Sequence, residues 1–416
     1  MKSLVILTSR FPYPPGEEFL KNEVDELSKY FHSIKILPTN SEISFSEERK
    51  KQVPPNVEVL PHLKGTRRKA WRILKLLSDV QSLGWFLEEL PAASKHGFKA
   101  ILKLLNWTAI ANEMKQNMKK GRLVSSEGEA IYYSYWLTPS ATALAMLKEK
   151  NPDINMVSRV HGGDLYLERH RPSYLPYQGR VIKTLDQTFS ISQNGKEYLS
   201  TLHPYAKDKI SVSRLGTKNE FISPTFGRKS DTLKLISCSY LKPVKRIHLL
   251  VEALKNSQAP IEWTHIGDGP EREKVETLIK ELPSNINVKL MGNLSNEEVI
   301  QNYRNQSYDC FINVSESEGI PVTIMEAFSF GIPVIATDVG ATSELVNKEN
   351  GFLLPKDFNP KDLSTLLDTF FQLTEEEYQN MSVHAFETWN NQYNAINNYK
   401  KFADMLKGVS NYEDSR

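Results

Sequence analysis

The chain has 416 residues, with 40% hydrophobic and 25% charged side chains and a formal net charge of +2. That length argues two or three domains, each able to bury its own core. No apolar run reaches the ~18 residues of a membrane-spanning helix, and two cysteines, Cys238 and Cys310, exclude a disulfide framework or a cysteine-rich metal site. Both cysteines sit in strand-like runs, as expected for buried thiols in a reducing cytoplasm.

Lys2 to Leu7 reads as a first buried strand, too short before Ser9-Arg10 for a signal peptide. The loop Thr8 to Glu18 holds three prolines and Gly16, and Phe19, Val24, Leu27 and Tyr30 then follow a helical spacing. Strand, glycine-bearing loop and helix make a ligand-facing turn, in which Gly16 either lets the backbone approach a ligand or simply forms the turn. Ile34–Leu37 and Val57–Leu60 are the next strands.

Lys64 to Arg122 carries thirteen Lys and Arg against four Asp and Glu. The pattern is helical, with Arg68, Arg72 and Lys75 near one side and Trp71, Leu74, Leu76 and Leu77 filling much of the rest. Lys95, Lys99 and Lys103 repeat the theme. A basic amphipathic helix with Trp reads as a membrane-surface element, the alternative being a packed helix with a solvated charged face. No nucleic-acid motif accompanies the charge.

Ile131–Tyr135 and Asn155–Val160 are further strands. The latter ends at His161-Gly162-Gly163-Asp164, placing a His at a strand's carboxyl end, where open α/β sheets bind ligands. Thr188–Ser192 and Ile210–Arg214 close a first half, and Lys218 to Thr232, with Pro224 and Gly227, reads as a linker. A second half opens with the strand Leu233–Ser239, the turn Tyr240 to Arg246 and the helix Ile247–Leu254. Glu262–Ile266 leads into Gly267-Asp268-Gly269, weak as a motif by itself.

Asp309 to Val346 is the most informative stretch. A buried strand, Cys310–Val314, breaks into the polar loop Ser315 to Gly319. Pro321 suits the first position of a helix containing Met325, Glu326, Ala327 and Phe328, with Gly331 as its C′ residue and Pro333–Thr337 as the next strand. The helix-start N–H groups of Val322, Thr323 and Ile324 favour an anion. Glu318 and Glu326 flank them, and an ionised carboxylate only accepts hydrogen bonds, so sugar hydroxyls are its natural partners. A nucleotide sugar has that shape. Ser382 to Leu406 closes the chain as a helical region punctuated by Trp and Tyr.

Glu318, Glu326 and Ala327, followed by Gly331 to Gly340 and Ser343 to Val346, resemble the donor-site signature of retaining GT-B glycosyltransferases of family 4. The resemblance implies an α/β GT-B fold, with two Rossmann-like domains facing each other across a cleft. Residues 1–217 would form the acceptor domain, 218–232 the linker and 233–381 the nucleotide-sugar domain, with 382–416 crossing back to the first. It implies that Glu326 holds the ribose, Glu318 the transferred sugar, and backbone N–H groups near Val322 and Thr323 the diphosphate, with Gly319 and Ile320 also donor-binding. Lys245 matches the family's diphosphate lysine, His161 its donor-sugar and catalytic contact, and Gly16 its phosphate-side loop. Asp164 would set the His161 loop or meet the acceptor. Two departures stand out: Pro321 lacks an N–H that many members offer, and Tyr240 stands where they carry Arg, leaving Arg246 as a candidate replacement.

The implied reaction moves a sugar from a UDP- or GDP-linked donor to a saccharide or lipid-linked acceptor, with retention and without a covalent nucleophile. No cofactor and no metal are expected, since no Asp-x-Asp triplet occurs. The expected location is cytoplasmic, peripheral on an anionic membrane surface, with no nucleic-acid partner. The alternatives are a GT-B sugar-nucleotide epimerase and a catalytically degenerate GT-B subunit, the latter kept open by Tyr240 and Pro321.

Overall fold

The computed structural model describes residues 2–14, 16, 17, 19–40, 51–61, 69–121, 123, 124, 130–219, 227 and 231–409. The chain forms two compact units, Met1–Arg214 with Ile396–Arg416, and Leu215–Ala395.

The first unit is built on a seven-stranded parallel sheet in the order β3-β2-β1-β4-β5-β6-β7. The strands are β1 (Ser3–Thr8), β2 (Ser33–Pro38), β3 (Val57–Val59), β4 (Ala130–Ser134), β5 (Asn155–Val160), β6 (Gln187–Ser190) and β7 (Ile210–Val212). Parallel strands need crossovers that cover both sheet faces, which is why Leu4 to Leu7 form an unbroken buried apolar run. Strand order reverses between β1 and β4, so the loops leaving their carboxyl ends diverge and open a crevice.

One ion pair lies deep in this unit. Glu23, from helix α1 (Leu20–Leu27), and Arg159 on β5 are paired and fully buried. Tyr133 donates its hydroxyl to Glu23 at 2.9 Å, and Arg159 donates to Ser213 Oγ at 2.6 Å. The Phe402 ring covers the guanidinium, 4.2 Å from its carbon, which ties the C-terminal helix Ala395–Val409 to the first unit.

Among the described residues of the basic stretch the helices are α2 (Lys69–Leu77), α3 (Val80–Ser94) and α4 (Phe98–Lys120). Here the structure corrects the expected cationic face. Arg72 is buried, its Nε 3.1 Å from Glu113 of α4, while Arg67 and Arg68 lie outside the described residues. Trp71, Leu74 and Leu77 instead face outward, 52%, 58% and 57% exposed. Spacing alone finds the two sides of a helix. The side that packs carries Leu76, fully buried, and Arg72, for which Glu113 is a buried partner.

The second unit has a six-stranded parallel sheet in the order β10-β9-β8-β11-β12-β13. Its strands are β8 (Leu233–Cys238), β9 (Ile261–Ile266), β10 (Ile286–Leu290), β11 (Cys310–Asn313), β12 (Val334–Thr337) and β13 (Gly351–Leu354). This is the doubly wound order 3-2-1-4-5-6, with its switch point between β8 and β11. The expected linker, 218–232, falls largely outside the described residues. Residues 382–395 stay with this unit rather than crossing at Ser382. Tyr378 and Met381 pack in its core, and Trp389 Nε1 donates to Thr217 Oγ1 at 2.9 Å. Gly216 permits that closure, because a Cβ there would stand 2.6 Å from Ala395 Cα. The chain joins the first unit only from Ile396.

Removing one partner of a buried ion pair strands the other charge. Glu23→Ala is therefore expected to destabilise the first unit by about 3–5 kcal/mol, read as an early transition in urea. A loss below about 1 kcal/mol, the range of an exposed pair, would show that the pair does not hold the unit together.

Candidate active site

In the second unit the site is assembled from the loops after β8 and β11. The first is pressed into shape by the β9 turn. Gly267 and Gly269 have positive φ, and a Cβ on either would fall 1.9 Å from Ser239 O or 2.5 Å from Leu241 O. The Gly-x-Gly is thus a packing device between loops. Arg246, in a left-handed backbone conformation at φ 51°, then reaches across. It donates to the carbonyls of Val314 (2.8 Å), Ser315 (3.1 Å) and Lys356 (2.8 Å). With its guanidinium engaged by three carbonyls, Arg246 does not replace the arginine missing at Tyr240, which is 54% exposed.

The neighbour of this clamp is Lys245, whose Nζ lies 2.6 Å from Glu318 Oε1. Asn313 Nδ2 approaches the same oxygen at 3.4 Å. The Glu318 loop rests on Gly340 (φ 60°), where a Cβ would meet Glu318 O at 2.0 Å, and Ala341 N donates to Gly319 O at 2.9 Å. Ile320 is buried beneath the loop.

The following helix begins at Val322, one residue later than expected, with Pro321 as its N-cap. Ile324 N donates to Pro321 O at 3.1 Å, so it does not belong to the anion-facing set. Val322 and Thr323 remain as helix-start donors, the positions where the macrodipole favours negative charge. Gly331 takes the C′ position at φ 67°, as its place in the sequence implies.

Glu326 is 6% exposed and accepts one hydrogen bond, 2.7 Å from Asn296 Nδ2. Burial raises its carboxyl to about 7, against the opposing effect of Asn296. The buried Tyr303 hydroxyl has no partner, and it and Cys238 are the other titratable groups that feel this carboxylate. Asn296 and Tyr303 were not foreseen, because nothing in their local sequence marks them. They reach the site through the packing of one helix, Asn296–Asn305, beside another.

The first unit carries the remaining candidates around its own switch point. A pocket of about 580 Å³ is lined by Ser9, Gly16, Asn40, Trp136 and Thr138 on its polar side, with Met114 of α4 opposite. The loop N–H groups beside Gly16, expected to face a phosphate, already have an anion. Ser9 N (3.0 Å), Arg10 N (2.6 Å), Phe11 N (2.7 Å) and Trp136 Nε1 (2.5 Å) all donate to the Glu17 carboxylate. Gly16, at φ 117°, serves the turn that brings Glu17 back.

His161 follows β5 and lies between aromatic rings, its centroid 4.6 Å from Tyr135 and 4.4 Å from Trp136. Neither ring nitrogen has a partner. Burial, then the charge of Arg159, hold its pKa well below the ordinary histidine value, so the imidazole is neutral at pH 7. Asp164 is buried and accepts from His161 N (2.5 Å) and Leu137 N (2.6 Å), with burial raising its carboxyl to about 7. It sets the His161 loop. The other reading of Asp164, as an acceptor contact, does not fit a carboxyl engaged by two backbone donors inside the protein.

The two doubly wound sheets place the chain in the GT-B class of folds. The apo lipopolysaccharide outer core galactosyltransferase WaaB superposes over 98% of this chain and 100% of its own, with a TM-score of 0.67 at 18% identity. Anabaena Alr3699/HepE in complex with UDP-glucose covers 98% of this chain and 100% of its own, with a TM-score of 0.65 at 15% identity. Residues 218–388 match the family model for glycosyl transferases group 1. WcaL of Escherichia coli K12, provisionally named a colanic acid biosynthesis glycosyltransferase, is 26% identical over 281 residues, spanning 65% of this chain and 69% of its own length.

The Glu326 carboxyl gives the site a measurable pH signature. Its pKa is raised from 4.5 to about 7 in the folded chain, so between those values the folded state binds the proton better than the unfolded one. Stability of the second unit therefore falls as pH rises through this window. Glu326→Gln should stabilise the unit at pH 8 by up to about 3 kcal/mol and leave it unchanged near pH 4, where both side chains are neutral. Equal stability of both proteins at pH 8 would show that the carboxylate is adequately solvated.

Proposed function

We propose that the chain is a retaining glycosyltransferase that moves a sugar from a nucleoside-diphosphate donor to an acceptor hydroxyl, in the synthesis of a surface polysaccharide. The observation that carries this reading is the grouping at the β8/β11 switch point. One cation, two carboxylates in different surroundings and two helix-start N–H groups match the parts of a nucleotide sugar. Lys245, Val322 and Thr323 face the diphosphate, Glu318 the sugar and Glu326 the ribose. UDP-glucose in the complex of HepE supports a uridine-linked donor, and the relatedness to WcaL supports the polysaccharide context.

A glycosyl transition state is oxocarbenium-like, with negative charge growing on the departing phosphate. Lys245 and the helix start oppose that charge from fixed positions, which requires no reorganisation during reaction. His161 keeps the catalytic role that the resemblance implies, as a neutral hydrogen-bonding group whose ring nitrogens are both unpartnered. No covalent nucleophile is assigned. The departing phosphate accepts the proton of the acceptor hydroxyl, so the new glycosidic bond forms as the bond to phosphate breaks. The acceptor is assigned to the first-unit pocket, where the polar strand ends face an apolar side of α4.

A bare-nucleotide titration beside a transfer assay tests these roles. Glu326→Ala should weaken UDP binding roughly ten- to a hundredfold, the range of a hydrogen bond to a charged group. Its effect should fall on affinity, since the ribose is held alike in ground and transition states. Transfer should persist in excess EDTA, because protein cations serve the diphosphate. Activity abolished by EDTA and restored by Mn²⁺, or an epimerised donor formed without any acceptor, would overturn the proposed reaction.

The same reading assigns an anionic membrane as the surface that supplies a lipid-linked acceptor. Its support is the outward face of α2, where Trp71, Leu74 and Leu77 are exposed beside Lys75, on a helix whose Arg72 lines the pocket. Apolar side chains entering the interface and basic ones meeting anionic headgroups both favour binding. Replacing Trp71 and Leu74 by Ser should weaken binding to anionic liposomes roughly tenfold and leave UDP affinity unchanged. Equal liposome binding by the variant and the parent would refute the assignment.

A further inference from the structure

The donor cation already has a partner within the protein, the carboxylate assigned to the sugar. We propose that Glu318 competes with the diphosphate for Lys245, so that the site favours a sugar-loaded nucleotide over a spent one. This deepens the donor-site reading above and rests on it.

The geometry makes the competition unavoidable. Lys245 Nζ stands 2.6 Å from Glu318 Oε1, and the two side chains are only 25% and 12% exposed. The contact is set by backbone. Arg246, next in sequence to Lys245, holds the carbonyls of Val314 and Ser315 at the root of the Glu318 loop, and Glu316 N donates to Val244 O at 2.8 Å. Gly340 fixes the loop from its far side. Neither side chain therefore leaves the other by a drift of its loop. An ammonium is a compact point charge, so a phosphate that takes Lys245 weakens its bond to Glu318.

What happens next depends on the sugar. Sugar hydroxyls donate to Glu318 and replace the bond that Lys245 withdraws, leaving both charged groups partnered. A bare diphosphate brings no donor for Glu318. It leaves a half-buried carboxylate short of a hydrogen bond and beside a like charge, both of which are unfavourable. Once the sugar has been transferred, the product is left in this second condition, and Glu318 recaptures Lys245 as the nucleotide departs. The carboxylate assigned to the sugar is thereby also a release device.

The test is calorimetric titration of UDP, with inorganic pyrophosphate as a base-free probe, into the parent, Glu318→Gln, Lys245→Ala and the double variant. Glu318→Gln is expected to bind both probes about five- to tenfold more tightly than the parent, the scale of one partly exposed ion pair plus the relief of repulsion. The gain should shrink in the Lys245→Ala background, where no cation is contested, which makes the two changes non-additive. Unchanged or weaker binding by Glu318→Gln overturns the proposal. So does a gain of equal size in both backgrounds, which would reduce the effect to simple repulsion. Should Glu318→Gln fail to fold, Glu318→Asp, which withdraws the carboxylate by one methylene, is expected to move affinity in the same direction. If Lys245→Ala binds UDP as the parent does, the donor-site reading itself fails. If Lys245→Ala weakens UDP while Glu318→Gln does not tighten it, only the competition is refuted.

Discussion

The second-unit site depends on one guanidinium. Arg246 accepts a left-handed backbone, unusual for a side chain of its size, and reaches the carbonyls of Val314, Ser315 and Lys356. A parallel sheet drives the loops after β8 and β11 apart at the switch point, and nothing in the sheet itself fixes their spacing. Arg246 fixes it. Together with the Glu316 N–Val244 O hydrogen bond, this clamp holds the two loops so that Lys245 and Glu318 meet at 2.6 Å.

Four carboxylates near the two sites have three different jobs because their surroundings differ. Glu17 and Asp164 are surrounded by backbone N–H groups and hold loops in place. Glu318 faces a lysine at the protein surface of its unit, so its charge is balanced and available. Glu326 is enclosed, with a neutral amide as its partner, and its ionised form is disfavoured until something better solvates it. A ligand hydroxyl pair would do so. A carboxyl shifted by burial in this way is a common property of functional sites, which structural ion-pair networks share.

Much of the second site was legible in the chain. The order of strand, polar loop, helix and strand from Cys310 to Thr337 follows from apolar runs, Gly331 and Pro321, all local signals. Glu318 and Glu326 were singled out by their place relative to those signals, and Lys245 by the family resemblance. Arg72, expected on a cationic face, and Arg246, left open as a replacement for the missing arginine, were decided by one cause. A basic side chain in a polar context is read as solvent- or ligand-facing, whereas Glu113 and three carbonyls, none of them near in sequence, gave each of these an internal partner. Asn296 and Glu17 escaped notice for the converse reason, being ordinary polar residues until packing brings a partner within reach.

Taken by itself, the sequence determined most strands of the two halves and the grouping of an anion-favouring helix start with two carboxylates. These follow from periodicity and from Gly and Pro, whose constraints act within a few residues. Only the tertiary structure decided which cations are available, which carboxylates are held by backbone, where the chain rejoins the first unit, and which face of α2 looks outward. Each of those is a competition between partners distant in the chain, and its outcome depends on distances that folding alone brings down to hydrogen-bond length.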